Sequence, residues 1–180
     1  MTGSWKVLTL AAGLISASAI GCGPGSDPRT SASAPAETWT AKDAEQAAED
    51  APEFEADLLG LVNAHRVSRG LNALVESAEL TSVARDHSVD MIARKYFAHV
   101  SPVGLTAGGR LRAAGVVTWT SVGENLADGD GVTSPRSVYE AWLASPTHRE
   151  NLEREDWTHA GVGVAVGEEG RVVTQLFLRP

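Results

Sequence analysis

The end of the chain sets the kind of fold it can have. Trp157–Val166 and Arg171–Leu178 are two valine-rich runs, and Glu168-Glu169-Gly170 between them has the composition of a hairpin turn. The runs predict two adjacent antiparallel strands. Gly161-x-Gly163 inside the first is not a dinucleotide-binding fingerprint, because a third glycine is missing and no helix follows.

A sheet needs covering layers, and the preceding sequence supplies helices. Phe54, Leu58, Leu61, Val62 and His65 recur at helical spacing, and Gly70 follows as a left-handed stop. Leu71–Leu74 reads as a loop. Leu80, Val83, Ala84, His87 and Met91 give a second stripe, predicting a helix from Ala78 to Lys95. His65 and His87 lie on apolar faces and read as hydrogen-bonded core histidines. A short helix is expected over Thr106–Gly115, and Val116–Thr120 is β-branched and aromatic. Thr133-Ser134-Pro135 opens another helix, with Val138, Tyr139 and Trp142 on its apolar side. Helices interleaved with strands in this order predict an α+β layer fold, a small antiparallel sheet with helices on both faces.

Ser145-Pro146-Thr147-His148-Arg149-Glu150-Asn151-Leu152 carries the most chemistry per residue. Ser145 suits a helix N-cap, where its hydroxyl accepts from an early backbone N–H, and Pro146 suits the first helical position. His148 then falls in the first turn. There the positive end of the helix disfavours protonation and keeps the imidazole fit to be a base or a metal ligand. His99 sits in a loop, between the anchor Tyr96-Phe97 and the turn Ser101-Pro102. Glu124, between Gly123 and Asn125 and flanked by apolar residues, is expected to be partly buried and to need a partner or a proton. Asp128-Gly129-Asp130-Gly131 hints at calcium, but Tyr139 stands where an EF-hand needs Glu, so the stretch reads as a turn.

The N-terminal part reads as an address and a tether. Lys6 precedes an apolar run, Val7–Ile20, of signal-peptide length and too short to span a bilayer comfortably. Ala19-Ile20-Gly21-Cys22 resembles a bacterial lipobox, which implies cleavage before Cys22 and lipidation of that residue; ordinary secretion is the alternative. The expected division is a lipoprotein-type signal peptide over 1–21, a disordered tether over 22–52 and a folded domain over 53–180. The tether, rich in Ala, Ser, Pro and acids, cannot bury enough apolar surface to offset its ordering entropy. Trp39 stands alone in it. Cys22 is the one cysteine, so no disulfide can form within the chain. A net charge of -8, with no basic block, argues against nucleic acid as a partner. The expected location is extracytoplasmic, membrane-anchored through lipid alone or secreted.

Several residue groups, in order, match one family. They are Leu61-Val62-Asn63-x-x-Arg66 with Gly70-Leu71, Asp90-Met91, Tyr96-Phe97-x-His99-x-Ser101-Pro102 and Arg110-Leu111. Gly123-Glu124-Asn125-Leu126, Trp142, the Ser145–Leu152 stretch, Gly161-Val162-Gly163 and Thr174-Gln175-x-Phe177 complete the set. On these the chain resembles the CAP superfamily of cysteine-rich secretory, antigen 5 and pathogenesis-related 1 proteins, in its bacterial, cysteine-poor branch. The resemblance implies a three-layer α-β-α sandwich with a mainly antiparallel central sheet and a cleft. In the family that cleft often holds two histidines and two acids, and some members bind zinc or another divalent ion there. Carried over, the histidines are His99 and His148, the first acid is Glu124, and the second acid is replaced by Ser145. The implied cleft is therefore His99, Glu124, Ser145 and His148. His99, His148 and Glu124 are the candidate metal ligands, and Glu124 is the candidate catalytic residue.

Two functions follow. One is a binding module whose ligand is a lipid, an envelope component or a protein partner. The other is a zinc-dependent hydrolase using the same cleft. Gly-x-Ser-x-Gly, His-Glu-x-x-His and a cysteine nucleophile are all missing from the domain, which favours binding.

Overall fold

The computed structural model describes residues 48–129 and 131–180. The expected signal segment, Cys22, Trp39 and nearly all of the tether lie outside the described residues, as does Asp130 of the Asp-Gly turn. The elements in chain order are α1 (Ala51–Ser68), β1 (Val75–Glu76), α2 (Ala78–Ala93), α3 (Ala107–Ala113) and β2 (Ser121–Asp128). They continue with α4 (Pro135–Ala144), α5 (Pro146–Glu153), β3 (His159–Gly167) and β4 (Gly170–Arg179).

The C-terminal hairpin is the centre of the sheet. The strand order is β1-β3-β4-β2; β2 and β3 both pair antiparallel with β4, and β1 pairs parallel with β3. The side chains of β3 and β4 alternate between two cores. Val162, Val164, Val173 and Phe177 pack with Phe54, Leu58 and Val62 of α1, Trp142 of α4 and Leu152 of α5. Leu176 and Leu178 pack on the other face with Leu80, Val83 and Ala84 of α2 and Leu111 of α3. The result is the α+β, three-layer α-β-α arrangement, with a small, mainly antiparallel sheet.

Gly161 and Gly163 set how closely α2 lies on the sheet. A Cβ at Gly161 would come within 2.3 Å of the Thr81 nitrogen, and one at Gly163 within 2.0 Å of the Arg85 nitrogen. The β3 edge of the sheet is managed by a side chain. On the β3 edge, Glu55 of α1 accepts from the Val164 N–H at 2.9 Å and is ion-paired to Arg85 of α2. One carboxylate thus joins the two covering layers around the sheet.

Some boundaries differ from the sequence reading for local reasons. α1 starts at Ala51, and Pro52, expected in the tether, occupies its first turn, where proline costs no hydrogen bond. α2 stops at Ala93 because Lys95 takes a left-handed conformation (φ 54°) and the Tyr96 N–H closes on the Met91 carbonyl at 3.0 Å. Trp157 precedes β3 as a buried core residue, and Val116–Thr120 leads into β2 without joining it. β1 is too short to leave a periodic signal. Asn63 holds its entrance: the amide donates to the Leu74 carbonyl at 3.0 Å and its oxygen accepts from the Leu74 N–H at 2.8 Å. Arg66, fully buried, donates to the carbonyls of Asn72, Leu152 and Arg154, tying α1 to the end of α5.

Candidate functional site

The site lies across the free edge of β2, where the two helical layers meet. β2 carries Glu124 towards the side of α2 and α3, and Asn125 towards the side of α5. Gly123, just before them, has no side chain because Trp157 and Asn151 occupy that space; a Cβ there would sit 2.7 Å from the Trp157 ring. Asn151 uses the proximity twice. Its amide donates to the Glu124 carbonyl at 3.2 Å and to Asn125 Oδ1 at 2.9 Å, while Asn125 donates to the His148 carbonyl at 3.2 Å. This lattice fixes α5, and with it His148, against the strand.

His99 arrives from the other side. Its loop is pinned by Ser101, whose hydroxyl accepts from the Leu105 N–H at 3.1 Å, and by Arg110 of α3, which donates to the carbonyls of His99 and Leu105. His99 Nδ1 lies 2.8 Å from Glu124 Oε1, and the Arg110 guanidinium pairs with Glu124 Oε2. The Glu124 side chain is only 4 % exposed, so the sequence expectation of a buried carboxylate with a partner is met, by two partners. Arg110 was visible in the sequence only as part of a family pattern; its role depends on α3 folding back over β2.

His148 stands at the third helical position of α5. Ser145 occupies the N-cap position, but its hydroxyl makes no capping bond and instead lies 2.9 Å from His148 Nδ1. His148 is 3 % exposed and its pKa is held down to about 4, chiefly by burial and then by the nearby His99. It is neutral at pH 7, as expected, but burial rather than the helix end is the main cause.

The two halves enclose a cleft of about 370 Å³. His99, Glu124 and His148 all line it, joined by Thr106, Thr147 and Asn151, with Val100, Ala107 and Val122 as apolar walls. Ser145 is not among the lining residues; its hydroxyl lies against His148 Nδ1, while Thr147 does line the cleft. His65 and His87 are elsewhere. His65 is held between Glu153 at 3.0 Å and the Tyr139 hydroxyl at 3.1 Å, and His87 is buried against the Ala98 carbonyl at 3.1 Å.

The expected three-ligand metal set does not fit this arrangement. Glu124 has both oxygens engaged, one by His99 and one by a guanidinium. Among the described residues, no group of three or more His, Cys, Asp or Glu is arranged to hold an ion. Each imidazole uses Nδ1 internally, which leaves the two Nε2 atoms for a ligand. Two nitrogens fall short of the three protein ligands of an open zinc site.

Residues 59–177 match the sequence profile of the cysteine-rich secretory protein family, CAP. The Bacillus subtilis (strain 168) protein YkwD is 32% identical over 152 residues, covering 84% of this chain and 57% of its own length. The membrane protein YlbC of the same organism is 38% identical over 125 residues, covering 69% of this chain and 34% of its own length. The chain thus spans little more than half of one relative and a third of the other. Among solved structures, an extracellular SCP-domain protein from Bacillus anthracis aligns with a TM-score of 0.65 at 32% identity, covering 82% of this chain and 45% of that one. An outer surface protein of Borrelia burgdorferi aligns with a TM-score of 0.63 over 69% of this chain and 90% of that one; at 23% identity it speaks for the fold alone. With the ordered motifs, the sandwich and the profile in agreement, the chain belongs to the CAP family.

Proposed function

We propose that this domain is a binding module working outside the cytoplasm. The cleft between His99 and His148 is its recognition site, and an envelope component, a lipid or a protein partner is its ligand. One observation carries the reading: among the described residues, neither imidazole is hydrogen-bonded to a hydroxyl that lines the cleft. His99 Nδ1 is turned to Glu124, and His148 Nδ1 to Ser145, which does not line it. The walls offer hydroxyls, amides, two imidazole nitrogens and apolar side chains, the mixture that small-ligand sites use for orientation and contact. An extracytoplasmic location is supported by the similarity to a Bacillus anthracis SCP-domain protein described as extracellular. Among the described residues no helix is long and apolar enough to cross a membrane. Lipidation at Cys22 would hold the domain at a membrane surface, with the preceding residues as its signal and those after it as its tether.

The other function expected from the sequence, a zinc-dependent hydrolase, has only two imidazole Nε2 atoms to draw on in this cleft and is the less supported reading. Protein-observed NMR with a panel of fatty acids, envelope glycan fragments and peptides tests the first reading. The expected shifts cluster at His99, Thr106, Thr147 and His148 and vanish in His99→Ala/His148→Ala. Turnover of any panel member, or shifts confined to another surface, would overturn it.

A further inference from the structure

The cleft has a floor whose chemistry points to one ligand class. β2 is a sheet edge. In an antiparallel edge strand, alternate residues turn both N–H and C=O away from the sheet. Here those residues are Val122, Glu124 and Leu126, as the side-chain bonds to them show: Asn151 donates to the Glu124 carbonyl, and Trp142 Nε1 donates to the Leu126 carbonyl at 3.0 Å. The far half of the strand is thereby closed, and Asn125, Leu126 and Ala127 are buried. The near half, Ser121–Glu124, is half-exposed. Among the described residues nothing meets the outward N–H or C=O of Val122, and Val122 lines the cleft.

We infer that the cleft takes a short extended peptide, which adds beside β2 as a further strand and pairs its backbone with Val122. The inference rests on the cleft being a recognition site. An extended peptide presents a donor and an acceptor at the spacing of the strand itself, which an acyl chain does not. Side chains of such a peptide alternate in direction. One set would meet Val100 and Ala107, with Val103 and Leu105 exposed beyond them, and the other set Thr147, His148 and Asn151. The carboxylate facing the cleft is neutralised by Arg110, and the chain carries a net charge of -8, so an uncharged or basic peptide is favoured over an acidic one.

A linear heptapeptide display library panned on the full chain supplies the probe, and selected peptides are synthesised and titrated. Binding should move the Val122 amide resonance. Val122→Pro, which removes an outward N–H at a place where an edge strand tolerates proline, should weaken binding about tenfold or more with Tm held. Methylating each peptide nitrogen in turn should find one whose loss matches that of Val122→Pro, and this arm stands even if that variant fails to fold. Peptides that respond to His99→Ala/His148→Ala but neither to Val122→Pro nor to N-methylation would overturn strand addition and leave the cleft reading intact. A library yielding no cleft binder would overturn the peptide assignment, while fatty-acid or glycan shifts at His99 and His148 would still support the cleft. Self-association removed by Val122→Pro would mean that a second copy pairs there, and would overturn it too.

Discussion

Arg110 and Glu124 form an ion pair in which both side chains are withdrawn from solvent, 9 % and 4 % exposed. The pair joins α3 to the edge strand and neutralises a carboxylate that lines the cleft. A buried pair left with one member is costly, because the survivor keeps its desolvation penalty without its partner. Arg110→Ala should therefore lose about 3–5 kcal/mol of stability in urea unfolding. Arg110→Leu combined with Glu124→Leu should recover much of that loss. A single-variant loss no larger than that of an exposed pair, under about 1 kcal/mol, would show that the pair holds nothing together.

The same pair bears on metal binding. With Glu124 engaged, zinc titrated by calorimetry into the unmodified chain should show no saturable site at micromolar concentrations. Arg110→Ala frees a carboxylate oxygen near two imidazole nitrogens, the donor set of an open zinc site. That variant should take up zinc and regain stability with it, because a ligand that binds only the folded state stabilises it. Identical titrations in both proteins would mean that Arg110 does not restrain the carboxylate.

His148 gives the domain a pH dependence of definite sign. Burial and then His99 lower its pKa from 6.5 to about 4. Between those values the unfolded chain binds more protons than the folded one, so stability rises with pH across the window and is fully present above it. Falling from pH 6.5 to about 4 should cost roughly 3 kcal/mol from this residue, at about 1.4 kcal/mol per unit. His87, lowered chiefly by burial, acts in the same direction. Urea midpoints measured across this range should be less pH-dependent in His148→Gln; an unchanged slope would assign the effect to His87 and other groups.

Three glycines separate crowding from chain entropy. Gly161→Ala and Gly163→Ala drive a Cβ into the backbone of α2 and should each cost about 3 kcal/mol or more. Gly60, inside α1, has open space around its Cβ position, and Gly60→Ala should stabilise by about 1 kcal/mol. Thermal melts of the three variants check the contrast, which would fail if all shifted Tm the same way.

The sequence made the layers legible because their signals are long. The stripe from Phe54 to His65, the stripe from Leu80 to Met91 and the final hairpin each bury a repeating face. His99, Glu124 and His148 were legible as a group through the order of the motifs, and the structure brings them to one cleft. Ser145 was legible as the residue at the N-cap of α5, but that its hydroxyl meets His148 and not the backbone depends on the packed imidazole. Thr147 and Asn151, and the way Arg110 clamps Glu124, depend on contacts between segments far apart in sequence. β1 escaped notice because two residues cannot show a period.

Asn151 has a consequence beyond holding α5 in place. It belongs to a short helix, yet its amide bridges a strand carbonyl and a neighbouring side chain, so the wall carrying His148 is riveted to the floor of the cleft. The opposite wall, residues 99–110, is riveted to that floor separately, by Arg110 and His99 through Glu124. A molecule lodged between the walls would act as a crossbar. Its arrival should then register as slowed amide exchange along both walls together, including turns that it never touches.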